Sequence, residues 1–149
     1  MKDISGKDDD KMGEILFKAK RKNWRELPED EWWIEGYTVK YQPCASKNEY
    51  VYGIVPTYAS ALYIIEIVPE TLCQYIRKND KNGSRIWEND IVYIRSSGLS
   101  GYGTIGYKNG CLIVKDGKRR RTYSLFGEWT LRVDGNIFDN PELLEQGGD

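Results

Sequence analysis

Residues 104–115 read TIGYKNGCLIVK, and this stretch decides the fold class. Two runs of strand-forming residues flank the pair Asn109-Gly110. An Asn-Gly pair between two such runs is the strongest short-range signal for a β-hairpin, because both residues accept the positive φ of the turn. The stretch therefore predicts antiparallel strands at 104–107 and 111–115 that are joined by a tight turn.

Further strands are predicted on both sides of this hairpin. Residues 90–95 (DIVYIR) carry apolar side chains at odd and even positions, which is typical of a strand buried on both faces. The Ser- and Gly-rich residues 96–103 predict a loop. The remaining predictions in this half are strands at 121–126 and 129–133 and a helical turn at 141–146 capped by Asn140.

About five short strands in the C-terminal half are too few for a stable open sheet, and closure removes exposed strand edges. We therefore predict a mainly β fold with a small Src-homology-3-like barrel, whose core spans about residues 84–140. Additional strands are predicted in the N-terminal half at 13–21, at 33–41 and within 48–80, including a buried run at 61–68.

The domain prediction is one β-rich domain at residues 13–149. Residues 1–12 (MKDISGKDDDKM) are charged and have almost nothing to bury, so they predict a disordered extension, an expression leftover or an upstream start.

The composition excludes several classes of protein. The net charge of -1 gives no overall field that would draw the chain onto nucleic acid or an anionic membrane, so such binding needs a local patch. The chain has no histidine, and its cysteines, Cys44, Cys73 and Cys111, are far apart, so we predict free thiols in a reducing cytoplasm and no metal site or cofactor. The longest apolar run, residues 60–68, is too short to span a bilayer, and we expect no membrane partner.

The sequence also predicts that the protein is not an enzyme. Without histidine the commonest general base is missing. The carboxylate clusters at 29–31 and at Glu88 and Asp90 are typical of loops and turns, and residues 98–103 lack the Gly-Lys-Ser end of a phosphate-binding loop. We infer no small-molecule substrate.

Five segments, taken in order, resemble the YopX family of phage and prophage proteins. They are residues 14–21 (EILFKAKR), 33–40 (WIEGYTVK), 69–75 (PETLCQY), 81–92 (KNGSRIWENDIV) and 135–144 (GNIFDNPELL). The resemblance implies a phage or prophage gene, a β-rich fold with a Src-homology-3-like barrel, self-association and no enzyme activity. Because Asn82-Gly83, Glu88-Asn89-Asp90 and Asn140-Pro141 are turn-forming sequences, we interpret these segments as structural rather than ligand-binding.

The densest cluster of basic residues is the run KDGKRRR at 115–121. It supplies the candidate contact residues Lys115, Lys118, Arg119, Arg120 and Arg121. A basic turn beside aromatic residues can bind a nucleic-acid backbone. It can equally pair with acidic segments of another subunit, such as 26–35 and 134–149, or be a solvated hairpin tip.

Two functional hypotheses follow. The leading one is a non-enzymatic binding or assembly module that forms a homo-oligomer in the cytoplasm of a bacterial host, since separated acidic and basic segments favour contacts between copies. The alternative is an accessory nucleic-acid-binding protein that uses residues 115–121.

Overall fold

The computed structural model describes residues 15–43, 48–58, 63–96, 99–108, 111–116, 122–124 and 130–145. The chain divides into two compact units, one up to Gln74 and one from Tyr75 onward. The predicted extension at 1–12 lies outside the described residues, and the prediction of one domain at 13–149 stays a prediction.

The first unit contains an antiparallel sheet. Its strands are β1 (Phe17–Lys20), β2 (Trp33–Tyr41), β3 (Val51–Pro56) and β4 (Ile65–Glu66), in the spatial order β4-β3-β2-β1. Short 3-10 turns occur at Trp24–Glu26, Glu29–Glu31 and Pro69–Thr71. One face of the sheet buries Ala19, Ile34, Ile54 and Ile67. The predicted strand at 33–41 is confirmed, and that at 13–21 is confirmed for its central residues.

The predicted buried run at 61–68 is wrong in part. Strand pairing here covers only Ile65 and Glu66, with one further bridge between Ile67 and Arg21. Tyr63 and Ile64 are 53% and 37% exposed. These residues lead into β4, the last strand of its sheet within the described chain, so no further strand covers them.

The second unit contains a five-stranded antiparallel sheet in the order β10-β9-β8-β7-β11. Its strands are β7 (Asp90–Ser96), β8 (Leu99–Lys108), β9 (Cys111–Asp116), β10 (Thr122–Ser124) and β11 (Thr130–Asn136). β5 (Cys73–Asn79) begins in the first unit, where Cys73 and Gln74 pair with β1, and from Tyr75 onward it pairs with β6 (Arg85–Trp87). The core of the second unit is apolar and consists of Ile76, Ile86, Val92, Ile94, Ile105, Val114 and Leu131.

The predicted pairing of the strands at 104–107 and 111–115 is confirmed, because Lys108 pairs with Cys111 and the register continues to Gly103 and Asp116. The predicted turn residues, Asn109 and Gly110, lie outside the described residues. The predicted loop at 96–103 is wrong for its described residues, because β7 ends at Ser96, and β8 begins at Leu99 and pairs with β7 from Leu99 to Thr104. Residues 97–98 lie outside the described residues. The strand requires a glycine at position 103, because a Cβ there would lie only 2.6 Å from Val114 Cγ1 and 3.0 Å from Ile94 Cδ1. Tertiary pairing therefore overrides the weak strand propensity of Ser and Gly.

The predicted fold class is confirmed as mainly β with one short helix, α1 (Glu142–Glu145). A closed barrel is not found, since β10 and β11 form the two ends of the sheet and no described residues pair them. The more specific Src-homology-3 likeness stays a prediction. Asn140 stands just before α1: its carbonyl accepts from the Leu143 amide, and its side-chain oxygen accepts from the Asn136 amide.

Candidate binding surface

Exposed aromatic side chains are concentrated in the first unit. Of the described residues, the large apolar ones that are exposed there include Tyr37, Tyr50, Tyr52, Tyr58, Tyr63 and Ile64. Among the residues of the second unit whose burial is described, the corresponding residue is Tyr107. Tyrosine is enriched in protein-binding surfaces because it combines a large apolar area with a polar tip. The first unit therefore carries the better candidate for a protein-binding surface.

These side chains follow the outer part of the sheet, at β3 and at the chain leading into β4. We call Lys40, Tyr50, Tyr52, Tyr63 and Ile64 the tyrosine edge. Lys40 and Tyr52 are paired across β2 and β3, so both side chains stand on one face. The Lys40 ammonium lies 4.3 Å from the Tyr50 ring centroid and 5.5 Å from that of Tyr52. Cation–π attraction thus orients the two rings.

A surface groove of 470 Å³ runs beside these rings. Its lining consists of Lys22, Glu49, Tyr50, Val51, Tyr52, Glu66, Ile67, Val68 and Pro69. Tyr52 and Ile67 also line a smaller cavity of 150 Å³. Lys22 and Glu66 form an ion pair of 2.6 Å, and the hydrogen bond to Glu66 raises the pKa of Lys22. The groove thus combines apolar walls with charges of both signs.

Terminal strands of both sheets have hydrogen bonds on their outer side. The outer side of β11 is covered by the turn that follows β5, where the Lys81 amide donates to the Leu131 carbonyl and the Val133 amide donates to Asp80 Oδ2, both at 3.0 Å. Beside β4, the Lys22 amide donates to the Glu66 carbonyl and the Val68 amide donates to the Lys20 carbonyl, both at 2.9 Å. The candidate surface at β4 is therefore formed by its side chains and not by unpaired backbone groups.

The structure places one of the predicted contact residues. Lys115 is exposed and pairs with Thr104 on β8 and Thr122 on β10. Lys118, Arg119, Arg120 and Arg121 lie outside the described residues. The contact function of this run therefore stays a prediction.

Sequence reasoning missed a polar network on the second sheet. Arg132 Nε and Nη2 donate to the two Asp134 carboxylate oxygens at 2.7 and 2.8 Å, and the Tyr102 hydroxyl donates to Asp134 Oδ2 at 2.8 Å. The hydrogen bonds from Arg132 lower the pKa of Asp134, and the hydrogen bond to Asp134 raises that of Tyr102. The alternation of residues in 91–95 and 130–134 is the signal that could have placed these side chains on one face.

The acidic groups considered for catalysis have structural surroundings. Glu29, Asp30 and Glu31 are exposed on a 3-10 turn. Asp90 is 1% exposed, and its Oδ2 accepts from the Trp87 amide at 2.8 Å. Cys73 is a buried free thiol. In the described part of the chain, no group of His, Cys, Asp and Glu could hold a metal ion, and no helix is long and apolar enough to cross a membrane.

One cluster of rings is already filled by the chain itself. The buried Lys20 ammonium lies 3.8, 4.7 and 5.7 Å from the ring centroids of Trp24, Trp32 and Trp33. Trp24 and Trp32 contact each other edge to face at 4.8 Å. Because Lys20 occupies the space between the rings, this cluster fixes the Trp24–Glu26 turn on β1 and offers no open site.

Comparison with known protein families shows to which family the chain belongs. The YopX protein family matches residues 16–145, which is most of the sequence. The chain belongs to the YopX family. The resemblance found in the sequence segments is thereby confirmed.

Two solved structures resemble the chain. The X-ray structure of protein yopX from Bacillus subtilis is 15% identical, with a TM-score of 0.48, and the match covers 87% of this chain and 96% of that one. A protein from Enterococcus faecalis is 20% identical, with a TM-score of 0.45 and coverage of 88% and 98%. No curated protein matches the chain. Membership of YopX therefore rests on the family match.

The turn-forming sequences within the YopX segments form turns in this chain. Gly83 has a φ of +84° and Asn89 a φ of +67°, the left-handed conformation that Gly and Asn tolerate best. The Asn136 side-chain oxygen accepts from the amides of Phe138 and Asp139, both at 2.9 Å. These contacts are structural, as the sequence interpretation of the segments expects.

Proposed function

We propose that this YopX protein is a non-enzymatic binding and assembly module of phage or prophage origin, and that it associates with copies of itself in the bacterial cytoplasm. The observation that carries the proposal is the tyrosine edge, where exposed rings adjoin a groove with apolar walls. Exposed aromatic rings supply the apolar area that a specific protein contact needs, and the neighbouring charges supply specificity.

The charges beside the tyrosine edge favour a second copy as the partner. Lys22, Glu49 and Glu66 line the groove and Lys40 lies beside the Tyr50 and Tyr52 rings, so the described residues here carry charges of both signs. In a two-fold contact the same patch must complement itself, which a balanced mixture of charges permits. A strongly one-sided patch would instead favour a different partner of opposite charge.

The surroundings of the carboxylates support a non-enzymatic function. Asp80 accepts hydrogen bonds from the backbone amides of Asn82, Ser84 and Val133, and Asp90 accepts one from Trp87. These carboxylates accept hydrogen bonds from backbone amides, whereas a general acid or base must reach a substrate.

Light scattering after size-exclusion chromatography tests the proposal. We expect an oligomeric mass for the parent protein and a monomeric mass for Tyr50→Ser/Tyr52→Ser, because that double variant removes two of the three rings of the edge, the two beside Lys40. The matched control is Tyr37→Ser/Tyr107→Ser, which also removes two exposed rings but leaves the edge intact. Thermal melting checks that each variant is folded. A monomeric parent at micromolar concentration in both low and physiological salt would contradict self-association.

A second candidate function is accessory nucleic-acid binding by Lys115, Lys118, Arg119, Arg120 and Arg121. It is favoured by the exposure of Lys115 at the end of β9, directly before the rest of the basic run. Lysine and arginine contacts to phosphates supply most of the affinity in sequence-tolerant binding.

A further inference from the structure

We propose that the face of the second sheet formed by Tyr93, Arg95, Tyr102, Lys115 and Arg132 binds single-stranded nucleic acid. This interface goes beyond the proposed assembly function. It also differs from the basic-run candidate, since apart from Lys115 it uses other residues and it selects single strands.

The strand register brings these residues to one face. Tyr93 pairs with Tyr102 on β8 and with Arg132 on β11, and Arg95 lies two residues further along β7. Lys115 on β9 pairs with Thr104, which is two residues from Tyr102. Paired residues and residues two apart share a face, so the five side chains stand opposite the Val92 and Ile94 face that packs into the core.

The Arg132 guanidinium is held in place on this face. Its guanidinium is bound at two nitrogens by Asp134, and its Cζ lies 5.2 Å from the Tyr93 ring centroid. The Tyr93 and Tyr102 rings contact edge to face at 5.2 Å, and Tyr102 is fixed by its bond to Asp134. The Arg132 side chain remains 41% exposed, so part of the guanidinium is open to solvent.

A planar cation backed by an aromatic ring is a stacking surface for a nucleobase. RNA- and DNA-binding proteins stack unpaired bases on aromatic rings and on guanidinium planes. The bases of a duplex are already stacked on each other and cannot use such a platform without being extruded. The geometry therefore favours a single strand over a duplex.

The charge of the face suits a phosphate backbone. Arg95, Lys115 and Arg132 are basic, and Asp134 is the acidic residue of the network. Arg95 and Lys115 are exposed on either side of the tyrosine pair. This local positive charge stands in a chain whose net charge is -1, so it is not a consequence of an overall basic composition. A single strand lying across the sheet would place phosphates against Arg95 and Lys115 and one base on Arg132.

Fluorescence anisotropy with a labelled oligothymidylate tests the proposal over a range of salt concentrations. We expect Arg95→Ser/Lys115→Ser to reduce the magnitude of the log-affinity versus log-salt slope by about 1.4, or roughly 0.7 for each phosphate contact on a single strand. Arg132→Lys keeps the charge but loses the planar group, so it should lower affinity about tenfold and leave the slope unchanged. The matched control, Lys78→Ser/Arg85→Ser, removes two exposed charges from β5 and β6 and should bind like the parent.

Competition experiments separate other ligands. Unlabelled oligothymidylate should compete better than a duplex of equal length or polyglutamate. Equal competition by the duplex would show that stacking is not used, and equal competition by polyglutamate would assign the face to acidic proteins; either result overturns the proposal. So would the absence of binding at low salt, or parent-like binding by Arg95→Ser/Lys115→Ser. Oligomer mass is measured separately, so failure of this interface and failure of self-association are distinguishable.

Discussion

At the scale of single residues, two buried aspartates stabilise turns that precede strands. Asp80 is 9% exposed and accepts hydrogen bonds from the backbone amides of Asn82, Ser84 and Val133 at 2.9 to 3.0 Å. Asp90 is 1% exposed and accepts a hydrogen bond from the Trp87 amide. Buried carboxylates are stable only where donors replace their lost hydration. Both residues are therefore expected to contribute to folding.

Asp80 gives a pH-dependent prediction. Burial alone would raise its pKa, but the amides of Val133, Ser84 and Asn82 lower the pKa below the ordinary aspartate value. A depressed pKa contributes stability that is present above the unfolded-state pKa of about 3.9 and is lost as the pH falls through the lower folded-state pKa. Asp80→Asn should therefore lower the free energy of unfolding by roughly 2 kcal/mol at neutral pH and by less at acidic pH.

Urea denaturation at a series of pH values measures this difference. Asp30→Asn is the control, because Asp30 is exposed on a 3-10 turn. A constant difference between the parent and Asp80→Asn from neutral to acidic pH would contradict the assignment of the stabilisation to the carboxylate.

Asp90 gives a second prediction at this scale. Asp90→Ala removes the acceptor of the Trp87 amide and should destabilise the fold by about 1–2 kcal/mol, which lowers the melting temperature. The measurement is thermal unfolding followed by circular dichroism. An unchanged melting temperature together with the loss of a bound partner would show that Asp90 belongs to a binding site.

At the scale of secondary-structure elements, close strand approach depends on particular glycines. A Cβ at Gly36 on β2 would overlap the carbonyl oxygen of Val55 on β3, whereas a Cβ at Gly106 on β8 would meet no atom within 4 Å. Both residues lie within strands, where glycine is otherwise unfavourable. Comparing the two positions therefore distinguishes a glycine that is required by close packing from one that only lowers strand propensity.

Substitution by alanine should have opposite effects at these two positions. Gly36→Ala must force β2 and β3 apart and should cost about 2–3 kcal/mol. Gly106→Ala should be neutral or stabilise the protein by about 0.5 kcal/mol, since alanine loses less entropy in a strand. Chemical denaturation of the two variants gives both values, and equal losses would show that the contact at Gly36 is not the cause.

At the scale of the whole molecule, two interfaces are proposed on separate units. The tyrosine edge lies in the unit up to Gln74, and the stacking face lies in the unit from Tyr75 onward. Because the residues of the two surfaces do not overlap, variants of one surface should leave the other property intact. Self-association and nucleic-acid binding can therefore be measured independently in the same preparations.

The basic run gives a prediction at this scale. Changing Arg119, Arg120 and Arg121 to Ser should leave the oligomeric mass unchanged and weaken binding to single-stranded DNA, because added positive charge beside Lys115 attracts phosphates. Light scattering and anisotropy measure the two properties. The control is Arg25→Ser/Lys78→Ser/Arg85→Ser, which removes the same charge from exposed positions.

The other outcomes for the Arg119, Arg120 and Arg121 variant are equally informative. A fall in oligomeric mass would show that the arginines pair with acidic segments of a neighbouring subunit. No change in either property would make the run a solvated hairpin tip.

The sequence by itself determined the features that depend on neighbouring residues and on family membership. The pairing of the strands on either side of residues 109–110, the bounds of the strand at 33–41 and the positive φ of Gly83 follow from local conformational preference. YopX membership followed from ordered segments that span most of the chain. Local signals suffice here because a turn is specified within a few residues.

Only the tertiary structure decided which residues are covered and which share a surface. Leu99 to Gly103 form a strand because β7 pairs with them, although their composition predicts a loop. Tyr63 and Ile64 are exposed because the described sheet ends at β4. Tyr93, Tyr102 and Arg132 meet because three strands are in a particular register. Register between strands distant in sequence depends on packing of the whole sheet, and a shift by one residue would turn each side chain to the opposite face.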